Sequence, residues 1–164
     1  MGAIDDLQVR GRAPMVFGRP SELFDAITAA GPGPQADAAM SIVAVVDRDL
    51  VRSLFAAATP GHTRRPQRAW QQLFRERLTA AAIGIAAQRL LIVCDVRRIS
   101  AEQRRRAADW VRRLAHRIGY ECSINGLHGL ATVVAFVETD AGADEVARTV
   151  ARWAATPAPA APGL

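Results

Sequence analysis

Ile42-Val43-Ala44-Val45-Val46 is a run of five apolar, mostly β-branched residues with no polar break. Side chains of an extended strand alternate between two faces. A strand with no polar side chain therefore needs cover on both faces. Helices supply that cover in parallel sheets, whose strands read as unbroken apolar runs. Leu90–Val93, ending at Asp95, repeats the pattern, and Ala131–Val137 is a third such run. Any fold for this chain must bury these three segments.

Helical periodicity fills the intervals. Asp47-Arg48-Asp49 precedes a short helix over about 50–58, which Thr59-Pro60-Gly61 ends. After Pro66, the residues Trp70, Leu73, Phe74, Leu78, Ala81, Ala82 and Ile85 recur at three- and four-residue spacing, predicting an amphipathic helix to about Gln88. Ser100 with Gln103 forms a capping-box pattern ahead of a helix that Gly119 is expected to stop. Tyr120–Ile124 reads as a short strand, and Asn125-Gly126 as a turn. A last helix opens at 140–143, with Val146, Val150 and Trp153 on one stripe. The order after residue 40 is β-α-α-β-α-β-β-α. It predicts a small single-domain α/β fold with a mostly parallel sheet flanked by helices. A ferredoxin-like α/β sandwich is the competitor, because residues 90–154 alone read β-α-β-β-α.

Residues 1–39 read as an N-terminal extension with one short helix, Ser21 to Ala30, capped by Ser21 and ended by Gly31. Met40, directly before the first strong strand, fits an alternative translation start. The α/β domain is expected over 40–154. The Ala/Pro-rich residues 155–164 read as a disordered tail. No segment reaches the ~18 apolar residues of a membrane helix, and the first residues lack a signal-peptide pattern, so the expected location is cytoplasmic. Cys94 and Cys122 both sit in apolar runs and read as buried, reduced thiols.

Charge is the second strong feature. Lys+Arg total 21, and all are arginine, as codon bias in a GC-rich genome would give. Their placement is uneven: residues 62–118 carry a formal +10, residues 1–61 −2 and residues 119–164 −3. Such segregation suits an acidic protein partner or nucleic acid. On the helix after Ser100, Arg106, Trp110, Arg113 and Arg117 fall along one flank, while Arg105, Arg112 and His116 fall on the far side. Arg64, Arg65 and Arg68 precede the long helix and add to the same field. A rigid aromatic among guanidinium groups can stack a base or grip phosphate. The plainer alternative is a solvated face with snorkelling arginines.

A second constellation is acidic. Asp47, Asp95 and Glu138 follow the three predicted strands, with Asp140 and Asp49 near them. Parallel strands would gather these carboxylates at one sheet edge, where open α/β sheets bind ligands. Clustered carboxylates hold Mg²⁺ or Mn²⁺ and activate water for phosphodiester cleavage. The placement of acids after strands resembles PIN-like metal nucleases at that level alone. Helix capping is the ordinary role for such residues. Ser123, Asn125 and His128 share one turn, a weaker catalytic candidate. No HExxH, GxxxxGK[ST] or GxGxxG string occurs, and the lack of lysine closes lysine-based chemistry.

The expectation is a non-catalytic binding or regulatory module using the arginine-rich helical face and needing no cofactor. One alternative is a metal-dependent nuclease or phosphoesterase with Asp47, Asp95 and Glu138 as catalytic or metal-binding groups. The other is a structural homo-oligomer pairing through Ala81, Ala82 and Ile85.

Overall fold

The computed structural model describes residues 8–10, 14–31, 40–56 and 65–156. In chain order the elements are β1 (Gln8–Arg10), β2 (Met15–Gly18), α1 (Glu22–Ala30), β3 (Ser41–Val46), α2 (Arg48–Leu54), α3 (Arg65–Gly84), β4 (Arg89–Asp95), α4 (Ala101–Ile124), β5 (Ala131–Val137) and α5 (Ala143–Ala155). The strands form one sheet in the order β1-β2-β3-β4-β5. β2 through β5 are parallel, and β1 is an antiparallel edge strand. The fold is α/β, and parallel pairing of β3, β4 and β5 leaves no place for the ferredoxin-like alternative.

The apolar runs explain this layering. Ile42, Ala44 and Val46 of β3 enter one core, with Leu90, Ile92 and Cys94 of β4 and the buried faces of α2, α3 and α4. Val43 and Val45, with Leu91 and Val93, enter a second core beneath α1 and α5. Every residue of β3 and β4 is buried. At about 25 cal/mol per Å² of apolar surface, this two-sided burial is the main force assembling the sheet.

The structure extends the fold beyond the expected boundary at residue 40. Met15–Phe17 pairs in parallel with Ile42–Ala44, and Leu23, Phe24 and Ile27 of α1 pack into the second core. A side chain at Gly18 would meet the Phe24 ring at 2.9 Å and the Val45 carbonyl at 3.1 Å, so only glycine lets α1 close on the sheet. The predicted caps at Ser21 and Gly31 are present. Residues 57–64 and 157–164 lie outside the described residues, so the predicted tail and Arg64 go undescribed.

A second correction concerns residues 120–124. They are not a strand: α4 continues through Gly119 to Ile124. Cys122 extends the buried stripe of Val111, Ala115 and Ile118 by one more turn, and Glu121 ties that turn to Arg75 at 3.3 Å. A glycine inside a helix costs about 1 kcal/mol relative to alanine. A Cβ at Gly119 would stand an ordinary 3.8 Å from the Thr132 methyl, so packing does not require glycine, and the buried stripe on either side carries the helix through it. The predicted oligomer surface is also corrected: Ala82 is fully buried, and Ala81 and Ile85 pack against the core.

Candidate anion-binding groove

α3 and α4 pack side by side over the first core, and their solvent-facing flanks leave a groove of about 820 Å³. Arg68, Gln71, Gln72 and Arg75 of α3 line one wall. Arg112, Arg113, His116 and Arg117 of α4 line the other, above Trp110 and Leu114. Among the described residues only Arg75 of these cations has a carboxylate partner, Glu121. Arg68, Arg112, Arg113 and Arg117 project exposed guanidinium groups with no ion pair among those residues. Each guanidinium is a rigid fork that fits carboxylate or phosphate oxygens in pairs.

The predicted flank is therefore partly assembled. Arg68, Arg113 and Arg117 share the groove. Arg106 does not: it bonds Glu102 at 2.6 Å one turn from the helix start. That contact, with a second from Arg105, holds the Glu102 carboxyl below its ordinary range. Arg65 begins α3, and its side chain lies outside the described residues.

Trp110, roughly a quarter-turn from the core face by helical spacing, falls on the core side of the flank. It is only 8% exposed, tilted against Phe55 at 5.9 Å and Trp70 at 6.3 Å between ring centres. Trp70 in turn stacks on Phe74 at 4.8 Å. Its indole belongs to an aromatic cluster under the groove and offers no open face to a base. Arg112 and His116, expected on the far side of the helix, line the same groove as Arg113 and Arg117, and Gln71, Gln72 and Arg75 join them from α3. The signal for the α4 members is the i, i+1, i+4, i+5 block of Arg112, Arg113, His116 and Arg117.

The acidic constellation is dispersed by its own local chemistry. Asp47 and Asp95 follow the paired residues Val46 and Cys94, so they stand at one sheet edge. The Asp47 Oδ1 caps α2 by accepting from the Leu50 amide at 3.0 Å. Both Asp95 oxygens accept from the Arg97 guanidinium, at 2.9 and 2.8 Å, and Arg97 also donates to the Ala141 carbonyl at 2.6 Å. Here β4 leads to α4 on one face and β5 to α5 on the other. Such diverging connections open the ligand crevice of many α/β sheets; Arg97 spans it. Glu138 is exposed beyond β5. Among the described residues no three His, Cys, Asp or Glu side chains come together in a metal-binding group. Ser123 and His128 approach to 3.4 Å on the exposed turn.

Cys94 lies in this carboxylate neighbourhood. Burial, then Asp95 and Asp47, push its thiol up to about 12, and burial followed by Glu121 raises that of Cys122. Neither thiol is expected to react with an aromatic disulfide reagent at pH 8 until the protein is unfolded; modification of native protein at the unfolded rate would contradict this. Above about pH 9 the unfolded Cys94 thiol ionises while the folded one stays protonated. Stability is full below that pH and falls by up to ~1.4 kcal/mol per pH unit towards 12.

No helix among the described residues is long and apolar enough to cross a membrane. Neither the protein-family models, the curated proteins nor the solved structures contain a match to this chain.

Proposed function

We propose that this protein is a non-catalytic binding module whose α3–α4 groove holds an acidic segment of a partner protein. The observation that carries this reading is the set Arg68, Arg112, Arg113 and Arg117 around one groove, without carboxylate partners among the described residues. Four cations held together repel one another, and an anionic ligand relieves that repulsion. Leu114 and Trp110 close the groove floor but are themselves buried, so the arginines are what a ligand meets. A peptide segment rich in carboxylates matches them. Nucleic acid would satisfy the arginines, but burial of Trp110 removes the stacking platform that single strands use.

Fluorescent polyglutamate and single- and double-stranded DNA and RNA, titrated across a salt series, test this. Polyglutamate is expected to bind at low salt and weaken as salt rises. Arg113→Glu with Arg117→Glu is expected to weaken it about a hundredfold while leaving the unfolding curve in place. Equal affinity in the folded double variant would exclude the groove. Nucleic-acid binding much tighter than polyglutamate would replace the acidic-protein reading.

A further inference from the structure

We propose that β5 is a dimerisation edge, where two copies of this chain join antiparallel into one continuous sheet. The two edges of the sheet differ. On one side β1 is a three-residue strand. On the other, β5 presents seven residues, Ala131-Thr132-Val133-Val134-Ala135-Phe136-Val137, with no described strand beyond it. Edge strands are normally protected by charge, proline, a bulge or shortness. β5 carries no charged residue and no proline, and its pairing with β4 runs unbroken from Ala131 to Val137.

Exposed apolar side chains flank the strand on both faces, with the Arg112 guanidinium 5.5 Å from the Phe136 ring on the α4 side. Val133 is 43% exposed, and on the other face of the sheet Tyr120 and Ile124 of α4 are 62% and 64% exposed. Gly119, next to Tyr120, lies against Thr132. Over the α5 face, a groove of about 490 Å³ is lined by Val133, Ala135, Val146 and Trp153. Among the described residues nothing covers this surface.

A second copy is the occupant that matches the strand's own symmetry. The Ala131 amide donates inward to the Gln88 carbonyl, and the Val137 carbonyl accepts inward from the Val96 amide. Alternation along the strand then turns the N–H and C=O groups of Thr132, Val134 and Phe136 outward. An antiparallel dyad at Val134 pairs Val134 with itself, Thr132 with Phe136 and Ala131 with Val137. All outward groups then meet outward groups, and each such pair exchanges two hydrogen bonds. Val133 faces Ala135 over the α5 side, so the two apolar grooves become neighbours. No like charges oppose one another. The sequence of residues 157–164 has prolines at 157, 159 and 162, which lack the N–H groups a ladder requires.

Sedimentation equilibrium of the full chain, over a wide concentration range, tests the proposal. The expected result is a species of about twice 17.6 kDa. Two variants leave the β4 ladder intact: Val133→Lys places a charge on an exposed position, and Val134→Pro removes an outward N–H. Each is expected to shift the species to monomer with unchanged far-UV dichroism. Hydrogen exchange on the unaltered protein gives a readout free of folding defects: the Val134 and Phe136 amides are expected to be protected at high concentration and to lose protection on dilution. A wild-type monomer at every concentration, dimers that persist in both variants, or concentration-independent exchange would overturn the proposal. It rests on a different surface from the arginine groove, so either can fail alone.

Discussion

Trp110→Ala is expected to lower the unfolding free energy by about 3–5 kcal/mol, the usual cost of removing a large buried aromatic. Trp110 is the keystone of a ring cluster joining three helices: Phe55 just beyond α2, Trp70 and Phe74 on α3, and Trp110 itself on α4. Removing the indole opens a cavity beneath the groove floor, and the helices can relax into it only partly. Urea unfolding measures the effect. Arg113→Ala, an exposed substitution on the same helix, is expected to change stability by no more than about 0.5 kcal/mol. The contrast separates two roles that the sequence had merged. A Trp110 variant of normal stability that lost ligand binding would show that the indole contacts ligand.

Arg97→Ala is the second large effect, also about 3–5 kcal/mol, by a different mechanism. Arg97 is the guanidinium partner of Asp95, whose side chain is only 6% exposed, and it also ties the sheet end to the loop before α5 through the Ala141 carbonyl. Removing it leaves a buried carboxylate with one hydrogen bond among the described residues, from the main-chain N–H of residue 97 at 3.1 Å. Stranding one member of a buried pair costs more than the pair contributes. Asp95→Asn combined with Arg97→Ala is therefore expected to be less destabilised than the sum of the two single changes. A double-variant cycle in urea reads that coupling directly. Additive losses would show that the two side chains act independently and that Arg97 does not fill the crevice for Asp95's sake.

β3 and β4 were legible because two-sided burial demands a continuous apolar run; β5 carries the same pattern, yet it is an edge strand on which only Val137 is buried. β2 was not legible, because Met15-Val16-Phe17 is too short to show a period, and its burial is decided by α1 folding back over Gly18. Gly119 misled as well. A glycine after a helical stripe signals an end unless the apolar stripe continues beyond it, as it does here at Cys122. The same limit governs the site. Helical spacing put Arg113 and Arg117 on one flank, but which arginines share a groove depends on how α3 crosses α4. Arg75 and Arg112 enter through that crossing, while Arg106 leaves it through its local pair with Glu102. Trp110 stood near the boundary between flank and core, and only packing against Trp70 and Phe55 decides its side. Arg89 is likewise not a free surface cation. It caps α5 through the Trp153 and Thr156 carbonyls and lies over the Trp153 ring at 4.0 Å.

Backbone amide resonances of the isotopically labelled full chain, followed while polyglutamate is added at low salt, test the arginine-groove account most directly. The predicted result is shifts concentrated at residues 68–75 and 110–117, reversed by added salt, with the residues around Asp47 and Asp95 unmoved. Shifts centred on the strand ends, or none in the groove at saturating polyglutamate, would contradict it.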